Sequence, residues 1–126
     1  MLHVVAGIIE LKGRILLCQR HRDSGRFPLK WEFPGGKVES GESPENAIRR
    51  ELYEELGIIV GQIQKIDEYD FAYNGEDPFF LHFFRIMKYK KAIRNLQFED
   101  MAWAKWDEIL NYDLLDGDRP FLNKYI

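Results

Sequence analysis

Three glutamates, Glu51, Glu54 and Glu55, stand at i, i+3 and i+4, a spacing that brings their side chains to one face of an α-helix within about one turn. Like charges so placed repel, and surface helices ordinarily break such clusters with lysine at i+4. An unbroken acidic triplet therefore invites a compensating cation, and hard carboxylate oxygens favour Mg²⁺ or Mn²⁺ over zinc. Arg50 lies beside Glu54 on the helix wheel, where it can orient a carboxylate without touching an ion.

The helix that must carry these groups has its own marks. Ile48, Leu52 and Leu56 form an apolar stripe at i, i+4 and i+8 that anchors one face while the next carries charge. Ser43 is placed to cap the helix, Pro44 suits its first position and Gly57 its stop, so the expected span is Pro44 to Leu56. Before it, Pro34-Gly35-Gly36 supplies a backbone free to turn tightly and approach a ligand.

Gly36, Glu42, Arg50, Glu51, Leu52, Glu54, Glu55, Gly57 and Ile58 occupy nine positions of a stretch of 23 residues, and together they resemble the Nudix hydrolase box without a mismatch. Outside the box the chain is similar, weakly but over nearly its whole length, to MutT-type enzymes and bacterial CTP pyrophosphohydrolases. The resemblance implies an α+β fold, a Nudix-like α/β/α sandwich with a mixed β-sheet between helices. It implies metal ligation by Glu51, Glu54, Glu55 and the Gly35 carbonyl, with Mg²⁺ as cofactor and Mn²⁺ as substitute. Glu54, Glu51 and Arg50 are the expected catalytic set. Glu42 is expected to hold the loop.

The reaction implied is substitution by water at the β-phosphorus of a nucleoside triphosphate, a step that needs positioning and charge neutralisation. Substrate contacts are expected from Arg20, Glu32, Phe33, Pro34, Gly35, Asp118, Phe80 and His82. For Arg20 the alternative is a plain surface charge; for Phe33, Phe80 and His82 it is a place in the core. MutT-type enzymes carry a further glutamate shortly before the strand that here holds Trp103, and counting back reaches Gln97 instead. The general base is then either Glu99 or a box glutamate.

Asp118 sits where MutT-type proteins place asparagine and CTP pyrophosphohydrolases aspartate. An ionised carboxylate only accepts hydrogen bonds, so it suits the cytosine amino group and is penalised against a purine O6. CTP- or dCTP-like pyrimidine nucleotides are favoured, 8-oxo-dGTP is the alternative, and a nucleotide-sensing module without turnover is the reading from a different class. Asp118 is equally suited to cap the last helix.

Length and composition bound these readings. A chain of 126 residues fits one domain, 1–126. Eighteen basic and 21 acidic residues give a net charge of −3, which argues against nonspecific binding of nucleic acid or a membrane surface. The single cysteine, Cys18, excludes an internal disulfide, and the N-terminus has no signal-like pattern, so a cytoplasmic location is expected. Oligomeric state is left open.

Along the chain, Leu2–Leu11 and Arg14–Arg20 read as a hairpin turning at Lys12-Gly13. The polar stretch His21–Lys30 reads as a loop, its cations either solubilising or helping to hold a triphosphate. Gln62–Tyr73 and Phe79–Tyr89 read as an antiparallel pair, the second a central strand. Met101–Trp106 is expected as a short strand and Pro120–Tyr125 as a final helix.

Overall fold

The central strands are apolar on both faces because both faces are covered. In the computed structural model, which describes residues 1–125, strand β1 spans Leu2–Ile8, β2 Glu10–Leu11, β3 Arg14–Gln19, β4 Trp31–Glu32 and β5 Gly35–Lys37. Helix α1 follows at Pro44–Leu56, then β6 Ile59–Val60, β7 Ile63–Phe71, β8 Phe79–Ile86, β9 Tyr89–Lys90, β10 Asp100–Lys105 and helix α2 Arg119–Tyr125. Phe84 and Ile86 of β8 join Ile48, Leu52 and Leu56 of α1 in one core. Leu81 and Phe83 of the same strand join Phe121 and Leu122 of α2 in a second core on the opposite side. The alternation of a strand thus feeds two layers, giving helix, sheet and helix in order.

A four-stranded mixed sheet runs β5-β1-β8-β7, with β1 parallel to β8 and antiparallel to β5. A second sheet runs β10-β3-β2 with β4 on β3, and β6 pairs with β9. The long pair β7 and β8 is antiparallel, with β8 inside the sheet.

Two expected strands are divided. The stretch Leu2–Leu11 breaks at Ile9: only Glu10–Leu11 forms the hairpin with β3, whereas β1 leaves for the other sheet. Hydrophobicity continues through Ile9, which is fully buried, so the break leaves no mark in the pattern. The stretch Phe79–Tyr89 likewise ends at Ile86, because the Met87 and Lys88 amides both turn to the Gln62 carbonyl and Tyr89–Lys90 then pairs with β6.

Helix α1 has the predicted bounds. Ser43 Oγ accepts from the Asn46 amide at 3.1 Å, and Gly57, at φ 72°, donates its N–H to the Tyr53 carbonyl. Ile48, Leu52 and Leu56 are fully buried, which stabilises by about 1.5–3 kcal/mol for each side chain. That anchorage fixes the rotation of the helix and so the direction in which its glutamates point. No helix among the described residues is long and apolar enough to cross a membrane.

Candidate active site

A cavity of about 1210 Å³ has Glu51, Glu55, Gly35 and Gly36 on its wall together with Arg20, Glu32 and Asp118. Its carboxylate side is organised by Arg50. Nε and Nη2 of that guanidinium donate to Glu42 at 2.8 and 3.0 Å, Nη2 also to the Lys37 carbonyl at 2.9 Å. Nη1 reaches Glu51 at 3.0 Å and Glu54 at 3.3 Å. Glu42 also accepts from the Glu39 amide at 3.1 Å, so it closes the loop as expected of it.

Glu55 is buried and accepts from the Gly35 amide at 3.1 Å, with the Gln97 amide group at 3.5 Å from its other oxygen. Burial raises its pKa, and its hydrogen bond with Glu51, the Glu51 charge and the Glu32 charge push the same way. Glu51 packs directly on Gly36, where an added Cβ would lie 2.5 Å from its carboxyl carbon. Gly35 has the same need for a bare backbone, since its Cβ would fall on the Val5 carbonyl.

The remainder of the wall carries two more acids. Asp118 is buried, and burial followed by the Glu32 charge raises its pKa to about 8 against the opposing Phe33 N–H. Glu32 is raised by burial to about 7, although Arg20 Nη1 lies 3.4 Å from it. Arg20 donates further to the Arg26 carbonyl at 2.9 Å and to Ser24 Oγ at 3.0 Å. Phe33 is buried edge-on to Phe83 and Phe121 and also lines the cavity. The Pro34 carbonyl accepts from the Gly7 amide at 2.7 Å, a contact that ties this segment to β1.

A NUDIX domain model matches residues 1–125. The chain belongs to the Nudix hydrolase family. It is 36% identical over 126 residues to a CTP pyrophosphohydrolase of Escherichia coli (strain K12), covering 100% of this chain and 92% of that protein. It is 33% identical over 130 residues to the nucleoside triphosphatase NudI of Escherichia coli O139:H28 (strain E24377A / ETEC), covering 94% and 92% of the two. The crystal structure of a MutT NUDIX hydrolase from Burkholderia pseudomallei superposes with a TM-score of 0.84 at 28% identity, covering 97% of this chain and 95% of that one.

Nudix hydrolases generally use divalent metal ions. Among the described residues, no three His, Cys, Asp or Glu side chains converge as a metal-holding group. The cause is visible: Arg50 draws Glu51 and Glu54 to itself while Glu55 turns to Gly35. The donors are all hard oxygens, and the Glu51 and Glu32 charges that add to burial in raising the Glu55 pKa are what a divalent ion offsets, so the residues present suit such an ion.

Several residues expected at the cavity have surroundings that point to other roles. Phe80 and His82 do not line it: strand alternation turns them to the face shared with His3, and the wall is made by Phe79 and Leu81. Glu99 is not placed to act as base, because Arg22 binds both its oxygens and lowers its pKa to about 2. Asp118 is expected as an ionised acceptor, but burial beside Glu32 favours its protonated form, which can donate as well as accept. Its carboxyl meets the Phe33 amide, and the residue ends a 3-10 turn, Asp116–Asp118, that runs straight into α2, whose Phe121 amide donates to Tyr69 Oη at 3.2 Å.

Tyr73 and Phe27 also line the cavity and were not singled out from sequence, whereas Arg26 beside them is one of the loop cations considered for a triphosphate. Loops distant in sequence meet here, and a turn-rich composition carries no mark of that meeting. Cys18 is buried with a raised thiol pKa, through burial first and then the Glu55 and Glu32 charges, so it behaves as an inert apolar side chain.

Proposed function

We propose that this protein is a Mg²⁺-dependent nucleoside triphosphate pyrophosphohydrolase that converts an NTP or dNTP and water to the monophosphate and pyrophosphate, with cytosine nucleotides preferred. The observation that carries the reading is one cavity walled both by Glu51 and Glu55 of the box and by the acid pair Glu32 and Asp118, with Glu54 off that wall on Arg50 beside Glu51. The relative named CTP pyrophosphohydrolase supports the choice of base.

The Gly35 carbonyl with Glu51, Glu54 and Glu55 would hold the ion, and Mn²⁺ would be a suitable substitute. When bound, the ion neutralises phosphate oxygens and lowers the pKa of a water. Arg50 sets the direction of Glu51 and Glu54. Arg20, on the cavity wall, meets phosphate with its guanidinium fork. A box glutamate accepts the proton of the attacking water, since Glu99 is engaged by Arg22. The water oxygen bonds to the β-phosphorus, and the α–β bridging oxygen leaves with the nucleoside monophosphate.

For the base, Asp118, which burial favours in its protonated form, donates while Glu32, beside Arg20, accepts. Cytosine offers the complementary edge, with an N3 acceptor and an N4 donor. An oxidised guanine with a protonated N7 beside O6 offers donor and acceptor too, which keeps 8-oxo-dGTP as the second substrate to test. The deciding experiment is a panel of NTPs and dNTPs with purified protein and Mg²⁺, scored by product identity. Pyrophosphate with CMP or dCMP is expected. Nucleotide binding without turnover identifies a sensor, and products lacking free pyrophosphate identify a different anhydride substrate.

A further inference from the structure

Besides Arg20, which pairs with Glu32, the loop between β3 and β4 carries three cations that sit on three further acids. Arg22 clasps Glu99, with Nε at 3.0 Å, Nη2 at 2.8 Å and its backbone amide at 3.0 Å. Lys30 Nζ lies 2.7 Å from Asp113. These pairs fasten the two ends of the loop to the body. Between them, Arg26 Nη2 lies 2.6 Å from Glu76 Oε1, in the turn that joins β7 to β8. Its guanidinium stands 4.7 Å over the Phe27 ring and 5.4 Å over Tyr73, whose rings are themselves 4.7 Å apart.

All four of those residues line the reaction cavity. The contact therefore joins two loops across the space a substrate must occupy. The strap is held in an unfavourable backbone: Phe27 at φ 50° and Leu29 at φ 64° are non-glycine residues in the left-handed region, supported by the Arg20 and Ser24 contacts to the Arg26 carbonyl. The ion pair that latches it is half exposed, at 52% for Arg26 and 46% for Glu76. Such pairs are weak and screened by salt. A polyphosphate carries several charges and takes a guanidinium bidentately, so it outcompetes one carboxylate for Arg26.

We propose that Arg26 serves two anions in turn, Glu76 across the empty cavity and a phosphate of the bound polyphosphate in the filled one, so that Glu76 competes with substrate and gates the cavity. The identity of the polyanion as a nucleotide rests on the function proposed above; the exchange between anions does not.

Calorimetric titration with magnesium and inorganic tripolyphosphate tests the exchange without turnover, and KM for CTP tests it in catalysis. Glu76→Gln should bind tripolyphosphate about two- to fivefold more tightly, the factor that a lost surface ion pair represents, with KM falling by the same factor. Arg26→Gln should bind more weakly, and adding Glu76→Gln to it should change nothing further. Asp77→Asn, which removes a neighbouring charge on the same cavity wall, should leave affinity as it is. The proposal is overturned if Glu76→Gln leaves affinity unchanged or lowers it, if its effect persists in the Arg26→Gln background, or if Asp77→Asn tightens binding equally. An inactive wild type that still shows the Glu76→Gln gain would reject the hydrolase reading and keep the latch.

Discussion

Arg50 grips Glu42 through two nitrogens, Nε to Oε2 at 2.8 Å and Nη2 to Oε1 at 3.0 Å, and turns the third, Nη1, to Glu51 at 3.0 Å. One guanidinium thereby couples the box loop to the carboxylates of α1. The Glu42 pKa is lowered chiefly by this contact, so the pair stays charged across the working range. Lysine keeps the charge but has no fork, so Arg50→Lys should lower kcat by about 10- to 100-fold, as for other partners that orient metal ligands. Steady-state kinetics over a Mg²⁺ titration measure this, and wild-type kcat in the variant would refute the role.

Glu54 is half exposed and is held by Arg50 alone among the described residues, so it contributes little to folding. Glu54→Gln should therefore reduce pyrophosphate release by on the order of 100-fold or more while the melting temperature stays within a few degrees. Loss of fold without loss of specific activity would reverse the assignment.

Gly36 offers a separate test of Glu51. The Cβ of Gly36→Ala would lie 2.5–2.7 Å from the three carboxyl atoms of Glu51, the mobile end of a long side chain, so the carboxylate must move and the backbone need not. Activity should fall at least about tenfold with stability changed by roughly 1 kcal/mol or less. Circular dichroism melting beside kinetics separates the two effects; equal loss of both would mean that the loop, and not Glu51, was displaced.

Asp118 makes stability depend on pH. The unfolded chain releases this proton near pH 4, whereas the folded protein holds it to about 8, so between those values the unfolded state binds fewer protons and stability falls as pH rises. Asp118→Asn mimics the protonated carboxyl, and at pH 8 it should be more stable than wild type by on the order of 5 kcal/mol, with almost no gain at pH 4. Glu32, shifted in the same direction, leaves a residual slope. Denaturant titrations at both pH values check the sign. In the substrate panel the same variant should keep the cytosine preference, since its amide still donates to N3, and a shift toward guanine bases would show instead that Asp118 acts as an ionised acceptor.

Local chemistry was legible in the sequence because it is local. The ends of α1 follow from Ser43, Pro44 and Gly57, and its rotation from Ile48, Leu52 and Leu56, whereas helical pitch alone did not tell buried Glu55 from half-exposed Glu54. The double-sided burial of β8 was also readable, since an apolar run on both faces has no other stable place in a small domain.

What needed the tertiary structure were relations between segments remote in sequence. Which face of β8 meets the cavity depends on α2 occupying the side of Leu81 and Phe83, so Phe80 and His82 could be assigned to either face beforehand. The breaks after Ile8 and Ile86 come from strands changing sheets, which burial by itself conceals because Ile9 stays in the core. Arg22 on Glu99 and Arg26 on Glu76 are pairings 77 and 50 residues apart. The charge on Asp118 was decided the same way: its type and position are in the chain, but burial beside Glu32 keeps its proton, and only the folded packing supplies that low-dielectric neighbourhood.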